Sequence, residues 1–461
     1  MKILIIINDH ITYRTYIDTK AFSLINKNLV TYAINTTSNE NNLKKIKIKN
    51  NCIKFDVNKK NDTLIFKISS LHFFSNLSKS LSYQYRFKRL LNFQVLYNSN
   101  YHIIKRIYLF FTNLLNKTSL WLLIILPIIS LKTFRFYFYR YYLKKINIPN
   151  SIQDYFKNNK TEKIIVLIPS SGVDFTSIAI DKIKKEFSNV RDAILINNWD
   201  NVSSKGAFWH NPNLTIVWGK QQKEQARNIL NIKKNIHALG SPSYINFFKL
   251  REKKIKRIYN FKYILFTGQS LQFDEISLLK FLDKIISEEK IKIKIIYRPH
   301  PNRHTRNCKD NFYGEKFSNI IMDYDAQNYY NKKESEIIKN YTSINYYPSL
   351  IKNAEFVIAP LTTMIIESLI FYKKILIIAH DDHFHYTSPY KKLKNMEHLQ
   401  ILKKFKEFLI SYNNKDLREY FNTISNNMKK IDKKKYNIFL KNIIANPKNY
   451  DSNLKRLISK L

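Results

Sequence analysis

AEFVIAPLTTMIIESLIFYKKILIIA, residues 354–379, reads as strand, turn, helix and strand, a complete βαβ unit. Residues 355–359 form a short apolar, β-rich run that Pro360 stops, and Leu361, Thr362 and Thr363 then bring small hydroxyl side chains to the start of a helix. A helix start carries unpaired N–H donors and partial positive charge, so a diphosphate docks there without further machinery. Glu367 falls one turn into that helix, where a carboxylate accepts hydrogen bonds from the vicinal hydroxyls of a ribose. Residues 375–379 close the unit as the next parallel strand, continuously apolar because both of its faces are buried. Packing alone in any doubly wound domain would use the same pattern, so this stretch decides the fold before it decides the function.

At 461 residues the chain exceeds one ordinary core and implies two to three domains. Working outward from 354–379, the same alternation appears on both sides of a basic crossover at 247–257. Before it come strands over 3–7, 29–34, 52–57, 63–68, 164–168, 193–197, 214–218 and 235–239, with helices over 176–187 and 220–230. Beyond it come a strand at 263–266, a helix at 275–288, a strand at 293–297 and a long loop over 298–345, and short amphipathic helical segments are expected at 402–411, 417–428 and 438–444. The expected fold class is therefore α/β with two Rossmann-like domains: 1–250 with a helical, partly hydrophobic insertion at about 85–145, 258–415, and C-terminal helices over 416–461.

Hydrophobic residues at 44% and aromatics at 14% exclude a disordered chain. Lys and Arg number 78 against 35 Asp and Glu, a net charge of +43 that invites nucleic acid or an anionic membrane surface as partner. The charge is spread along the chain, no nucleic-acid module is recognisable, and the wealth of Lys, Asn and Ile with only 6 Gly fits an AT-rich coding bias, so nucleic acid is not the expected partner. Cys52 and Cys308 stand far apart with no metal-ligand spacing, which excludes a disulfide framework and a structural zinc site and fits a reducing cytosol. MKILIIIND is too short for a signal peptide and reads as a first buried strand.

Inside the insertion, 119–131 (SLWLLIILPIISL) is uncharged, too short to span a bilayer and interrupted by Pro127. Lys117, Lys132, Arg135, Arg140, Lys144 and Lys145 flank it, and Trp121 suits the headgroup level, so an interfacial segment on an anionic membrane is expected.

Three polar loops follow strands, where open α/β sheets bind ligands. In 197–206 (NNWDNVSSKG), Trp199, Asn201, Ser203, Ser204 and Lys205 surround Asp200; an aromatic in a polar loop is costly unless it packs on something, often a sugar face. In 297–304 (YRPHPNRH), two prolines stiffen a turn with two Arg and two His, a composition suited to a phosphate-bearing donor. In 380–385 (HDDHFH), the His spacing matches no specific metal site, and no metal or other cofactor is expected.

Taken together, WDN-x-SSKG, VWGKQQKEQA, ALGSPSY, YRPHP and APLTTMIIESLIFYKKILII resemble a GT-B fold bacterial glycosyltransferase, in particular the surface-polysaccharide transferases related to the CDP-glycerol glycerophosphotransferase group. The likeness covers about residues 163–382. It implies a nucleotide donor in the C-terminal domain, held by Arg298, His300, Thr362, Thr363 and Glu367 with Glu367 on ribose, and a glycan or lipid-linked acceptor in the N-terminal domain. His300 matches the His that the glycerophosphotransferase group places at the donor phosphate; the group's other signature His, in a His-Gly loop, is replaced by Trp199-Asp200-Asn201, which favours sugar transfer over polyol-phosphate transfer. The implied enzyme is a metal-independent transferase of cell-envelope polysaccharide assembly, cytoplasmic and peripheral at the inner membrane face, with a nucleotide-sugar epimerase as the alternative on the same fold. Transfer requires a base for the acceptor hydroxyl, and Asp200, Asp9 and His10, each at the end of a strand, are the candidates.

Overall fold

The computed structural model describes residues 1–37, 51–77, 79–91, 132–170, 174–205, 211–301, 311–328, 330, 343–426 and 431–461. The chain divides into two compact units: Met1–Ile245 together with Lys441–Leu461, and Asn246–Leu440. The apolar run 119–131 lies outside the described residues, as do Gly206, Arg303 and His304. No helix among the described residues is long and apolar enough to cross a membrane.

The first unit is built on a parallel sheet of β1 (Lys2–Ile7), β2 (Val30–Asn35), β3 (Cys52–Phe55), β4 (Ile164–Ser170), β5 (Val190–Ile196), β6 (Leu214–Val217) and β7 (Ile236–Ala238), in the order β3-β2-β1-β4-β5-β6-β7. Strand alternation sends successive side chains to opposite faces: Leu4 and Ile6 join one core with Ile164, Val166 and Ile168, while Ile3, Ile5 and Ile7 join the other with Ile165 and Leu167. Each fully buried Ile or Leu contributes about 1.5–3 kcal/mol, which is why these strands read as unbroken apolar runs. The second core is completed by the end of the chain, where Tyr450, Leu454 and Ile458 of helix Tyr450–Ile458 pack beneath the sheet.

The second unit repeats the plan with β8 (Tyr263–Thr267), β9 (Lys294–Arg298), β10 (Ile320–Met322), β11 (Val357–Ala359), β12 (Ile375–Ile378) and β13 (Leu409–Ser411), all parallel, in the order β10-β9-β8-β11-β12-β13. The βαβ unit of 354–379 forms as β11, helix Met364–Ile370 and β12, in register Val357 to Ile375.

Three expectations about elements are corrected. Residues 63–68 are not a strand but lie inside helix Lys59–Ser75: Leu64, Ile65 and Ile68 face the core at helical spacing, a period that a six-residue window cannot separate from a strand. The stretch 298–345 is not all loop, because Ile320–Met322 pairs with β9 as a three-residue edge strand too short to show a period. In 402–411 the chain forms the end of the 3-10 helix Glu397–Lys404 and then β13, since Leu409 and Ile410 are drawn into the sheet edge beside β12.

Gly240 explains how the end of the chain reaches the first unit. It sits at φ +83°, and a Cβ there would meet the carbonyl oxygen of Ala445 and lie 3.2 Å from Pro447 Cβ. Ala445 N donates to Trp218 O over 2.7 Å on the same path. Gly240→Ala combines backbone strain with a clash and is expected to cost about 1–3 kcal/mol; an unchanged urea midpoint would show that the tail does not depend on this approach.

Candidate functional site

In the second sheet the strand order reverses at β8, so the loops after β8 and β11 part on opposite sides and leave a crevice at the strand ends. Three loops meet there. After β11 come Leu361, Thr362 and Thr363, with Thr362 half-buried, Thr363 exposed and Thr363 making no side-chain cap. Glu367 follows in the first turn of the helix. It is half-buried and takes part in no side-chain hydrogen bond or ion pair with the described residues. Burial pushes its carboxyl up to about 7, against the pull of the Arg298 charge.

Arg298, expected on the donor phosphate, is 2% exposed and held elsewhere. Its guanidinium pairs with Asp323 and, at 2.7 Å, with Asp325, donates to Tyr347 OH and stacks 4.1 Å above the Tyr347 ring. Asp323 also accepts from Tyr259 OH at 2.9 Å and from Tyr346 OH. Burial and then the Asp323 charge push both phenols far above their ordinary value, so they stay protonated donors. A buried Arg with two carboxylates and three phenols is a brace for the end of β9, and its physical reason is charge compensation where water is excluded.

His300, two residues on, is half-buried. Its loop is pressed against the loop after β8: a Cβ on Gly268 would lie 3.0 Å from Pro299 Cα, 3.1 Å from His300 N and 2.7 Å from Glu275 Oε2. Glu275, fully buried, accepts from Gln269 N at 2.7 Å and Tyr297 OH at 2.8 Å. Lys392, also buried, donates to Gln269 Oε1 at 3.1 Å and Leu361 O at 2.9 Å, and so ties the loops after β8 and β11 together. Gln269, Glu275 and Lys392 escaped the sequence reading. The Thr267-Gly268-Gln269 turn in a chain with 6 Gly was a usable signal for the first; Lys392 sits in a Lys-rich run and has none.

After β12, His380 is buried against Ser411 Oγ at 2.7 Å, and burial pushes its pKa down to about 4. Burial works to raise Asp382, but hydrogen bonds from His385 outweigh it and hold the carboxyl below the usual range. Asp381 accepts from His383 N at 3.0 Å and pairs with Lys391 at 3.3 Å. These acids fold the loop on itself, and Asp382 reaches Asp274 N at 3.1 Å, tying the loop to the start of helix Glu275–Glu288.

The first sheet has its own reversal between β1 and β4. Asn8, Asp9 and His10 follow β1, all half-buried, and Asp9 caps the next turn by accepting from Thr12 N at 2.6 Å. Asp174, absent from the sequence reading because it looks like an ordinary helix cap, follows β4 and accepts from Ser177 N at 2.8 Å and Thr176 Oγ1 at 2.9 Å. Burial raises its pKa, the Ser177 and Thr176 bonds lower it, and the nearby Asp9 charge raises it further, with a net rise. Asn8 Nδ2 donates to Thr176 Oγ1 at 3.0 Å, so the two loops are joined.

The loop after β5 differs from expectation. Trp199 is 2% exposed, its indole N–H donating to Gln221 Oε1 at 2.8 Å, so it offers no face to a sugar. Asn201, Ser203 and Ser204 are buried too: Asn201 Nδ2 donates to Ser170 O at 2.9 Å, Ser203 O accepts from Ser80 Oγ at 2.7 Å, and Ser204 O accepts from Arg86. The Ser203 and Ser204 hydroxyls both donate to Asp200 O, so the polar side chains of this loop satisfy backbone groups in this structure. Asp200 and Lys205 pair at 3.1 Å and keep partial access to solvent.

Neither a protein-family model nor a curated protein matches the sequence. Solved structures match by fold. A protein assigned as a UDP-N-acetylglucosamine 2-epimerase from Listeria monocytogenes superposes with a TM-score of 0.50 at 10% identity, covering 100% of this chain and 96% of that one. A glycosyltransferase from Rickettsia africae follows at 0.48, 11% identity, 99% and 98% coverage. A wall teichoic acid polymerase reaches 0.37 at 14% identity over 67% of this chain and 92% of its own. The likeness to the first is one of fold: two parallel α/β units of the GT-B class.

The Glu367 carboxyl supplies a pH test. Its folded pKa of about 7 lies above the ordinary 4.5, so the folded state carries a cost that is complete above pH 7 and absent below pH 4.5, where the group is protonated folded or unfolded. Glu367→Gln is therefore expected to raise the unfolding midpoint at pH 8, with the gain shrinking as pH falls toward 4.5. Equal midpoints for the two proteins at pH 8 would remove burial strain from this site.

Proposed function

We propose that the chain is a glycosyltransferase that moves a sugar from a nucleotide-activated donor to a cell-surface glycan or lipid-linked acceptor, working peripherally at the inner face of the cell membrane. The observation that carries this reading is Glu367: a desolvated carboxyl with no hydrogen-bond partner among the described residues, in the first turn after β11, beside the reversal of the strand order. A ribose diol supplies the hydrogen bonds it lacks, and such bonds favour the charged form that burial disfavours.

In this reading Thr362 and Thr363 meet the diphosphate, and His300 donates to its oxygens as charge grows on the leaving group. Arg298 acts behind His300, through the brace with Asp323 and Asp325, and adds its field to Glu367. On the acceptor side, Asp9, with His10 and Asp174 around it, is the base favoured by position at the reversal of the first sheet. Asp200 is the second candidate, its carboxylate shared with Lys205. In the reaction the base takes the acceptor hydroxyl proton, the acceptor oxygen bonds to the sugar's anomeric carbon, and the bond from that carbon to the diphosphate breaks.

Calorimetry with nucleotides and nucleotide sugars, alongside initial rates, tests the assignment. Glu367→Gln is expected to weaken nucleotide binding by about 1–3 kcal/mol. His300→Ala should lower turnover more than affinity, and Asp9→Asn should leave nucleotide affinity intact while reducing transfer on the order of 100-fold. Nucleoside diphosphate released only when an acceptor is present identifies transfer; an isomerised donor without acceptor would overturn it. Nucleotide binding lost in Asp9→Asn but intact in Glu367→Gln would reverse the two units' roles.

A further inference from the structure

Helix Lys132–Lys145, KTFRFYFYRYYLKK, contains no acidic residue. Its inward face is fixed: Tyr139 and Leu143, one turn apart, are buried in the first unit's core, and Tyr139 OH donates to Asp181 Oδ2 at 2.6 Å on helix Phe175–Glu186. That anchoring leaves Phe136, Tyr137 and Tyr141 outward at 53%, 69% and 45% exposure. Large aromatics at such exposure in two turns of one helix need a reason, because solvated aromatic area is unfavourable.

Between the two helices lies a groove of about 510 Å³ whose lining includes Tyr137, Tyr141 and Leu143 on the apolar side and Arg140, Lys144 and Lys182 on the charged side. Lys182 spans its base, donating to Lys144 O at 3.1 Å and Ile146 O at 2.8 Å. Of the other cations, Lys185 is paired with Asp181 at 3.2 Å, whereas Arg140 lies 4.3 Å over the Phe136 ring and forms no ion pair among the described residues, and neither does Lys144. Glu186, at the rim, is the acid that lines the groove among the described residues. Lys145 rests 4.2 Å over Tyr141 and Lys67 lies 5.6 Å from the Tyr142 ring, so the cationic surface continues on both flanks.

We propose that this groove and the outward face of helix Lys132–Lys145 bind the surface of a bilayer rich in acidic phospholipid, with a headgroup phosphate between Arg140 and Lys144 and the rings of Phe136, Tyr137 and Tyr141 at the headgroup level. Charge complementarity selects an anionic surface, and exposed rings beside the cations select one with an apolar layer beneath its phosphates rather than a soluble polyanion. In the sequence, the uncharged run 119–131 ends where the helix begins, so a second apolar element enters the same neighbourhood of the chain. The assignment takes up the membrane-face location proposed above and is tested without a catalytic readout, so failure of the transfer reading leaves it standing.

The full chain is sedimented with phosphatidylglycerol vesicles and with phosphatidylcholine vesicles at low salt. Arg140→Gln/Lys144→Gln is expected to lose roughly 30-fold in affinity for the acidic vesicles, from two cations each worth about a factor of five. Tyr137→Ser/Tyr141→Ser should weaken binding at high salt, where attraction between charges is screened. All four side chains are exposed, and Lys27→Gln/Lys160→Gln, a neutralisation of equal size elsewhere on the first unit, should bind as the parent does. Binding of the groove variants equal to the parent's assigns the contact to 119–131 and overturns the proposal. Equal losses in the Lys27/Lys160 variant, or groove-dependent binding of a nonspecific DNA oligomer with no vesicle binding, overturn it as well.

Discussion

A strand paired in parallel on both sides must send its chain back across one face of the sheet before the next strand can form, and both faces are then covered. In the two units this leaves one place for chemistry, the edge where strands end, and one position on that edge where the returning chains diverge. Between β1 and β4, and again between β8 and β11, that divergence opens a crevice. Half-buried acids stand at both: Asp9 and Asp174 in the first unit, Glu367 in the second.

Burial has opposite consequences at these places according to the partners available. Arg298 is removed from water with two carboxylates and three phenols around it, and the result is a rigid support. Glu367 is desolvated with no hydrogen-bond partner among the described residues, and the result is a group whose charged form is disfavoured until something supplies hydrogen bonds. Stability is invested in the first and withheld from the second. That contrast, rather than the number of polar residues in a loop, separates support from site. The polar loop after β5 belongs with the supports: its Asn and Ser side chains satisfy backbone carbonyls, and its Trp indole N–H is taken up by the Gln221 side chain.

Much of the architecture was legible because apolar runs of fully buried strands leave an unmistakable mark; Ile3 to Ile7 and Ile375 to Ile378 are examples. What failed was short or ambiguous in period. Leu64, Ile65 and Ile68 look alike as strand or helix until Leu71 is counted, and Ile320 to Met322 is too brief to have a pattern. Glu367 could be placed from its distance to Pro360, since a turn of helix has fixed length. Whether a polar side chain points outward or back toward its own backbone is not written in spacing, so Trp199 and Arg298 were read as ligand contacts. Lys392 reaches the crevice from a helix remote in sequence, and Asp174 is hidden by its capping role.

The tail that passes Gly240 and lays Tyr450, Leu454 and Ile458 beneath the first sheet makes the second unit an insertion within the first. A ribosome therefore delivers every residue of Asn246–Leu440 before it delivers the last layer of the unit that began at Met1. During that interval the side of the first sheet carrying Ile3, Ile5 and Ile7 lacks its terminal helix, and an apolar face waits for cover. Folding of the first unit thus finishes after synthesis of the second has ended, and a chaperone that shields such a face would find its target in the nascent chain.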